Sequence, residues 1–243
     1  MKLLTFAKRC AKEILRDPIN LMFGVGFPIV LLLLLSAIQA NIPVSLFEID
    51  SLTPGIAAFS LAFMTLFSAT LIARDRESSF LQRLYTTPLK PSDFILGYML
   101  PLVPMAVGQS TVCYLAAAIL GMPVTVNILY AVIMIFPVAV FYISLGLVCG
   151  SVFNVKQVGG ICGALLTNVS GWLSGIWFDL ELVGGAFCKI ANLLPFVHAV
   201  ELQRGIVSGN FAVAMPHLWV VLGYAAVVTV GAIVLFLRQM RRQ

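Results

Sequence analysis

The chain has 243 residues, of which 60% are hydrophobic and only 10% are charged, and its formal net charge is +5. A water-soluble domain of this size cannot cover so much apolar surface, so the composition indicates a protein embedded in lipid. The few charges are clustered between long charge-free stretches. The positive balance therefore reflects orientation in a membrane, and nucleic-acid binding is not expected.

Residues 1–17 predict an amphipathic helix that lies in the membrane interface. At 100° per residue, the apolar and the basic side chains fall on opposite faces of this helix. The apolar face comprises Leu3, Leu4, Phe6, Ala7, Cys10, Ala11, Ile14 and Leu15, and the polar face comprises Lys8, Arg9, Lys12, Glu13 and Arg16. Such a helix places basic residues at the level of anionic headgroups, although a simple positively charged anchor explains the pattern with fewer assumptions.

Six stretches are long and apolar enough to cross a bilayer as helices of about 20 residues. They are Leu21–Ala40, Leu52–Ala73, Phe94–Leu120, Ile128–Gly150, Val158–Phe178 and Pro216–Leu237. The charge-free run from Phe94 to Val155 is divided into two spans by Gly121, Pro123 and Asn127, because these residues favour a turn. A cleaved signal peptide is not expected, since the first apolar run starts late and lacks a suitable cleavage site.

The distribution of basic residues predicts that both termini are cytoplasmic. In the six-span topology, thirteen of the fifteen Lys and Arg residues fall on the side of the termini, and only Lys189 and Arg204 fall on the other. Because basic residues favour cytoplasmic loops, the loop 74–93 should be cytoplasmic and the connection 179–215 external. The five cysteines show no pairing pattern or metal-ligand spacing, so no disulfide framework or metal site is expected.

The loop 74–93 predicts a short helix with an apolar face. Ser79 and Gln82 form a capping-box pattern at its start, and two X–Pro pairs stop it. The apolar face consists of Phe80, Leu81, Leu84 and Tyr85. From this pattern alone, folding back on the bilayer and docking on a soluble partner are equally compatible interpretations.

The external connection 179–215 predicts a re-entrant or interfacial hairpin before the last span, because its apolar middle is too short to cross the bilayer. A helix should then begin at Pro195 and end at Gly205. His198, Glu201 and Arg204 lie along one side of this helix. They would form either an ordinary ion pair on a wet surface or part of an external gate.

Two spans carry the residues expected to line a substrate path or an interface between copies. These residues are Phe59, Phe63 and Phe67 in the second span and Gly163, Asn168 and Trp172 in the fifth. Small residues let helices approach closely in lipid, and an intramembrane amide rarely faces hydrocarbon. The aromatic stripe also fits plain packing of the bundle. As the lining of a path, these residues would suit hydrophobic or amphipathic cargo.

Two segments resemble motifs of the permease subunits of type-two ABC exporters. The loop RESSFLQRLYTTPLKPSDFILG is similar to RE-x-G-T-x-E-x-L-x-x-T-P-L, and NLLPFVHAVELQRG is similar to N-P-x-x-H/Y-A-V-E-x-x-R near the last span. The six spans, the interfacial helix and the chain length also fit, so the resemblance covers essentially the whole chain as a single permease domain, 1–243. The departure is Gln82, where the family commonly has Glu.

The resemblance implies an all-α integral membrane permease that exports a drug, a peptide or a lipid-like molecule from the cell. Two permease copies, identical or related, would face each other in the cell membrane, and each would carry a separate ATPase subunit that binds ATP and Mg²⁺. The sequence contains no GxxxxGK[S/T] loop, so the ATPase is expected to be another polypeptide and this chain to have no catalytic residue. The implied coupling contacts are Phe80, Leu81, Arg83, Leu84, Tyr85 and Lys156.

Two other classes of function stay open. An intramembrane serine protease also has six spans, and Ser174 with His198 would be its catalytic pair. Against this, Trp172 stands where such proteases have glycine, and His198 falls in the outer connection. A non-transporting assembly subunit has the same hydropathy as a permease. A serine-directed probe would identify the protease, and stimulation of the ATPase by cargo would distinguish the exporter from the assembly subunit.

Overall fold

The computed structural model describes residues 2–43, 47–78 and 91–240, and this part of the chain is helical with no strand. The helices are α1 (Lys2–Leu15), α2 (Pro18–Leu21), α3 (Phe27–Gln39), α4 (Ile49–Phe59), α5 (Ala62–Glu77), α6 (Pro91–Ile119), α7 (Val126–Val152), α8 (Val155–Val158), α9 (Thr167–Trp172), α10 (Leu180–Val183), α11 (Gly185–Leu193), α12 (Pro195–Val207) and α13 (Phe211–Met240), with π-helical segments at Met22–Gly26 and Gly159–Leu166. The predicted coupling residues Phe80, Leu81, Arg83, Leu84 and Tyr85 lie outside the described residues.

Five helical stretches in the described ranges are long and apolar enough to cross a membrane. They are Met22–Gln39, Ile49–Glu77, Asp93–Ile119, Val126–Val152 and Phe211–Arg238. They coincide with the first four predicted spans and the last one. The pair α11 and α12, bent by 76°, makes a sixth if it is counted as one broken span. The chain is therefore a multi-pass α-helical membrane protein.

The fifth predicted span, Val158–Phe178, is not among these five. Its helix runs from Val155 to Trp172 through a π-helical segment, and the chain then turns at Gly175, whose φ is 71°. Glycines, hydroxyls and an amide dilute the apolar residues of this helix, and a lysine lies in its first turn. This segment is therefore shorter and more polar than the sequence prediction assumed, and we call it the fifth helix below.

The contact between α5 and α7 lies at the centre of the bundle. Gly146 and Gly150 of α7 face the α5 backbone so closely that a Cβ on either would collide with a carbonyl oxygen of α5. The hydroxyls of Thr65 and Ser68 donate hydrogen bonds to α7 carbonyl oxygens at 2.9 and 3.0 Å. Close approach of small residues and such hydrogen bonds drive helix association in lipid, where no hydrophobic effect operates between helices.

We expect Gly146→Ala to destabilise the bundle, because the added methyl group meets the backbone carbonyl of Thr65. Overpacking of this kind costs about 1–3 kcal/mol. Gly231→Ala in α13 is the matched control, since nothing lies within 4 Å of its Cβ position. Alanine is also the better helix former at such an open position. The thermal transitions of the purified proteins in detergent test this; equal transitions would contradict the close contact.

Helix α1 lies across the end of the bundle and packs against it. The ring of Phe6 makes edge-to-face contacts with Phe94 and Tyr98 of α6, with ring centroids 5.9 and 5.0 Å apart. Leu4 and Leu15 of the same predicted apolar face are exposed instead. One part of the apolar face of α1 therefore packs against protein, and the other part points away from it.

Helix α12 is inserted between α4, α7 and α13. It begins at Pro195, as the sequence predicted, because proline suits the first turn of a helix. The predicted end at Gly205 is wrong, since Gly205 lies inside the helix and lets it approach the Cβ of Ala214, 3.1 Å from its own Cβ position. The helix continues to Val207, and the left-handed turn is supplied by Gly209, whose φ is 76°.

Candidate functional site

A groove of about 490 Å³ opens between the first span, the α4–α5 span and the fifth helix. Five of the six residues predicted for a path or an interface border it, although they come from separate parts of the sequence. They are Phe59, Phe63, Gly163, Asn168 and Trp172. The indole of Trp172 at the rim is 59% exposed, so the groove faces the outside of the single chain.

The walls of the groove are aromatic and apolar. Phe27 and Phe63 meet edge to face at 5.3 Å, and Phe59 meets Trp177 in the same way at 5.7 Å. The amide of Asn168 is exposed at the rim, where its Nδ2 donates to the carbonyl oxygen of Ala164 at 2.8 Å. None of the described residues that border the groove is charged. The lining can therefore contact an apolar or amphipathic molecule.

Both π-helical segments border this groove. Met22–Gly26 contributes Phe23, and Gly159–Leu166 contributes Gly163. Beside the second segment, the hydroxyl of Thr167 donates to a carbonyl oxygen five residues earlier, at 3.0 Å. π-Helical turns are rare and are frequent at functional sites, because they widen the helix and displace its backbone hydrogen bonds. Neither segment was predicted from the pattern of residues.

Phe67, the sixth predicted residue, does not border the groove. Its ring is buried against Gly24 of the first span, where a Cβ would approach the ring to 2.7 Å. Phe67 therefore packs the second span against the first. The predicted aromatic stripe is divided, with Phe59 and Phe63 at the groove and Phe67 in helix packing.

Asp75, near the end of α5, is the centre of a buried polar cluster that the sequence analysis missed. Its carboxylate accepts hydrogen bonds from both terminal nitrogens of Arg9 at 2.5 Å, and from the hydroxyl of Tyr98 at 2.7 Å. Burial opposes the charge of Arg9, but hydrogen bonding and attraction to Asp75 outweigh it and raise the pKa of Arg9. The guanidinium of Arg9 therefore stays charged, and its pair with Asp75 joins α1 to α5 and α6.

The neighbours of Asp75 join α5 to further helices. Arg76 donates to the carbonyl oxygens of Ser151 and Phe153 at the end of α7. Glu77 accepts a hydrogen bond from the backbone N–H of Val155, the first residue of α8, at 2.9 Å. The four residues Arg74–Glu77, here called the base cluster, thus join α5 to four other helices, α1, α6, α7 and α8, at the point where the chain leaves α5.

Lys156, a predicted coupling contact, is exposed on α8. A reciprocal capping box fixes this short helix: Asn154 Oδ1 accepts from the Gln157 N–H at 2.9 Å, and Gln157 Oε1 accepts from the Asn154 N–H at 3.1 Å. Through Glu77, α8 is attached to the base cluster. Lys156 is therefore presented at the same end of the bundle as the start of the loop 74–93.

At the opposite end, the predicted gate residues divide into two groups. Glu201 and Arg204 form an ion pair at 2.9 Å, and Arg204 Nε also donates to the carbonyl oxygen of Ser51, which joins α12 to the start of α4. His198 contacts His217 of α13 instead, with their Nδ1 atoms 2.7 Å apart. The sequence analysis missed His217 because this contact joins two helices and has no local pattern.

Ser174 and His198 do not form a catalytic pair. The hydroxyl of Ser174 donates to the carbonyl oxygen of Gly171 at 2.7 Å. The ring nitrogens of His198 contact His217 and the carbonyl oxygen of Asn192. The serine thus lacks the adjacent base that nucleophilic catalysis requires. Within the described ranges, no group of three or more His, Cys, Asp or Glu residues is placed to hold a metal ion.

A multi-pass helical bundle with an apolar groove is an architecture found in the membrane domains of transporters. The chain belongs to the ABC-2 type transporter family, whose model matches residues 1–207. This match covers the groove, the base cluster and α12, and it agrees with the resemblance found in the sequence motifs.

Two relatives are similar to this chain at low identity. ABC transporter G family member 20 of Dictyostelium discoideum is 25% identical over 174 residues, which are 71% of this chain and 24% of that protein. Nodulation protein J of Bradyrhizobium diazoefficiens is 26% identical over 229 residues, which are 94% of this chain and 86% of that protein. The chain thus spans about a quarter of the first relative and most of the second.

Proposed function

We propose that this chain is the permease subunit of an ATP-driven exporter that moves hydrophobic or amphipathic cargo out of the cell. Membership of the ABC-2 type transporter family supports the transport role. The observation that supports this class of cargo is the groove, where the described lining residues are aromatic rings, apolar groups and the exposed amide of Asn168, with no charged side chain among them. Such a lining binds apolar groups weakly enough to release them when the helices rearrange.

In this proposal a second permease copy, identical or related, covers the groove. Asn168 is exposed on the fifth helix beside the exposed apolar side chains Leu165, Val169 and Trp172. In lipid, the free side of this amide would find no hydrogen-bond partner, whereas a facing helix can supply one. The amide therefore favours a protein neighbour over hydrocarbon.

The energy would come from two copies of a separate ATPase subunit that bind ATP and Mg²⁺. They would dock at the end of the bundle that carries Lys156 and the loop 74–93. Support comes from the base cluster, which would transmit a displacement of that loop to α1, α6, α7 and α8. The excess of basic residues at this end favours its cytoplasmic placement in the cell membrane, with both termini inside.

Cross-linking between copies tests whether the fifth helix faces a second permease copy and whether the ATPase cycle moves it. In a cysteine-free background, single cysteines replace Ala164, Asn168 or Gly171, and a cysteine at the outward-facing Ile133 of α7 is the control. We expect the strongest cross-link at position 168, and we expect ATP with vanadate to change it in the complex with the ATPase. Cross-linking at position 133 with none at 168 would assign the interface to another helix.

Asn168→Leu separates substrate contact from packing. An asparagine in the path should change how cargo stimulates the ATPase, while the assembled complex still forms. Loss of expression alone would indicate that the amide serves only to pack the fifth helix. An unchanged cargo profile in a well-expressed variant would remove Asn168 from the path.

A further inference from the structure

The polar side of α1 forms one wall of a cleft of about 800 Å³ that the proposed transport function does not use. Pro18 and Arg74 border the cleft beyond α1. Five basic and two acidic side chains line it: Lys8, Arg9, Lys12, Arg16 and Arg74, with Glu13 and Asp17. A cavity bordered by so many cations at one end of a membrane bundle raises the question of which anion it accepts.

The two acids of the cleft are already engaged. Glu13 pairs with Arg9 at 2.9 Å, and Asp17 pairs with Arg74 at 3.2 Å. The remaining cations, Lys8, Lys12 and Arg16, are exposed, and their side chains make no hydrogen bond or ion pair with the described part of the chain. Three neighbouring positive charges with no ion-pair partner among the described residues repel one another, so an anion bound between them is stabilised by all three.

The position of α1 places this cleft at the level of lipid headgroups. Phe6 packs on Phe94, whose ring contacts Phe236 near the end of the last span at 5.5 Å. The helix therefore lies across the ends of two spans rather than within the bundle. Its apolar residues Leu4 and Leu15 are 64% and 69% exposed at this level, where lipid can cover them favourably.

The order of side chains around α1 joins the exposed apolar strip to the cleft. At 100° per residue, Leu4 and Leu15 are followed directly by Lys8 and then Lys12 around the helix. A lipid whose acyl chains contact the leucines would thus hold its phosphate beside the lysines. A soluble anion would satisfy the lysines but would leave the leucines uncovered.

We propose that this cleft is a binding site for the phosphate group of an anionic membrane lipid. The phosphate lies between Lys8, Lys12 and Arg16, and the acyl chains lie against Leu4 and Leu15. The bound lipid fixes α1, whose Arg9 holds Asp75 of the base cluster. This lipid site consists only of α1 and the residues beside it, so lipid binding there requires neither the cargo nor the ATPase.

Lipid retention by the purified full-length permease tests the site. The protein is equilibrated in detergent with equal amounts of phosphatidylglycerol and phosphatidylcholine, and bound lipid is counted by native mass spectrometry. We expect preferential retention of phosphatidylglycerol, weakened roughly five-fold for each charge removed in Lys8→Gln with Lys12→Gln. Lys8→Arg with Lys12→Arg should keep the preference.

The matched control is Lys189→Gln with Arg238→Gln, which removes the same charge at exposed residues outside the cleft. It should retain phosphatidylglycerol as the parent protein does, and an equal loss would overturn the site in favour of general electrostatic attraction. Complete displacement of the lipid by millimolar inorganic phosphate would overturn the lipid as the source of the anion. Unchanged lipid retention together with lost ATPase binding in the lysine variant would assign the cleft to the ATPase instead. Thermal transitions of all variants establish that they are folded.

Discussion

Asp75→Asn should detach α1 from the bundle and lower its stability by about 3 kcal/mol. The side chain of Asp75 is 2% exposed, and it holds Arg9 with two charge-assisted hydrogen bonds. Asparagine keeps the shape of aspartate but leaves the guanidinium without its buried counter-charge. Arg9 is 35% exposed and can turn toward water or Glu13, so we expect the lower end of the range for broken buried pairs. The measurement is thermal unfolding in detergent, with protease sensitivity of residues 2–17 as a local readout.

Asp17→Asn is the matched control for this experiment. It removes the same charge from the pair with Arg74, whose side chain is 45% exposed, so the effect should be at most about 1 kcal/mol. The double variant Arg9→Gln with Asp75→Asn should recover part of the lost stability, because no unpaired charge stays buried. Equal effects of Asp17→Asn and Asp75→Asn would show that the base cluster does not hold α1.

The second large effect is expected for Leu84→Asp, in the part of the loop 74–93 outside the described residues. If the predicted apolar face seats in a groove of the ATPase, the new carboxylate enters that groove without a partner, at a penalty of several kcal/mol. The permease should still insert into the membrane. Co-purification of the ATPase and transport should both be lost, and pull-down of the complex measures the first directly.

Leu182→Asp makes the same chemical change at the opposite end of the bundle. Leu182 is 83% exposed and follows Asp179 and Glu181, so a further carboxylate is tolerated there. This variant should bind the ATPase normally. Normal ATPase binding by Leu84→Asp as well would favour the other interpretation of the loop, in which its apolar face folds back on the bilayer.

The number and position of most spans were predictable from the sequence, because lipid forbids charges and the charged residues therefore mark the ends of the helices. The fifth predicted span, Val158–Phe178, is the exception, because it is not among the five candidate spans. The sequence prediction treated its small and polar residues as compatible with a complete membrane span. In the structure these residues make the segment less apolar, and its helix ends at Trp172. Composition thus located this helix but overestimated its length.

Contacts between segments that are distant in the sequence could not be predicted from the periodicity of apolar residues. The spacing of α1 predicted an apolar face, but the same pattern suits a lipid surface and a protein surface, and α1 uses both. Asp75 was visible only as one charge in a run of four. Its pairing with Arg9, 66 residues earlier, depends on how the helices pack. The available signal was its position, since Asp75 is an acid two residues beyond the apolar span that ends at Ala73.

The groove was better anticipated than the base cluster. Aromatic spacing and an intramembrane amide identified five residues that the fold brings together, and their roles in transport remain predictions. The predicted aromatic stripe included one residue too many, because Phe67 packs against Gly24 of the first span and does not border the groove. The π-helical segments beside the groove were not predicted from the sequence.

The base cluster makes the sequence around it intolerant of changes in length. Consecutive residues of α5 reach toward different helices, and each inserted residue rotates everything beyond it by 100° and shifts it by about 1.5 Å. One insertion between Ala73 and Arg74 would thus separate Asp75 from Arg9, Arg76 from the end of α7, and Glu77 from α8 in a single step. Inserting a whole helical turn would restore the direction in which each of these side chains points, but each would still be displaced along the helix axis. Related chains are therefore expected to vary in length within the loop after Glu77 and not before it.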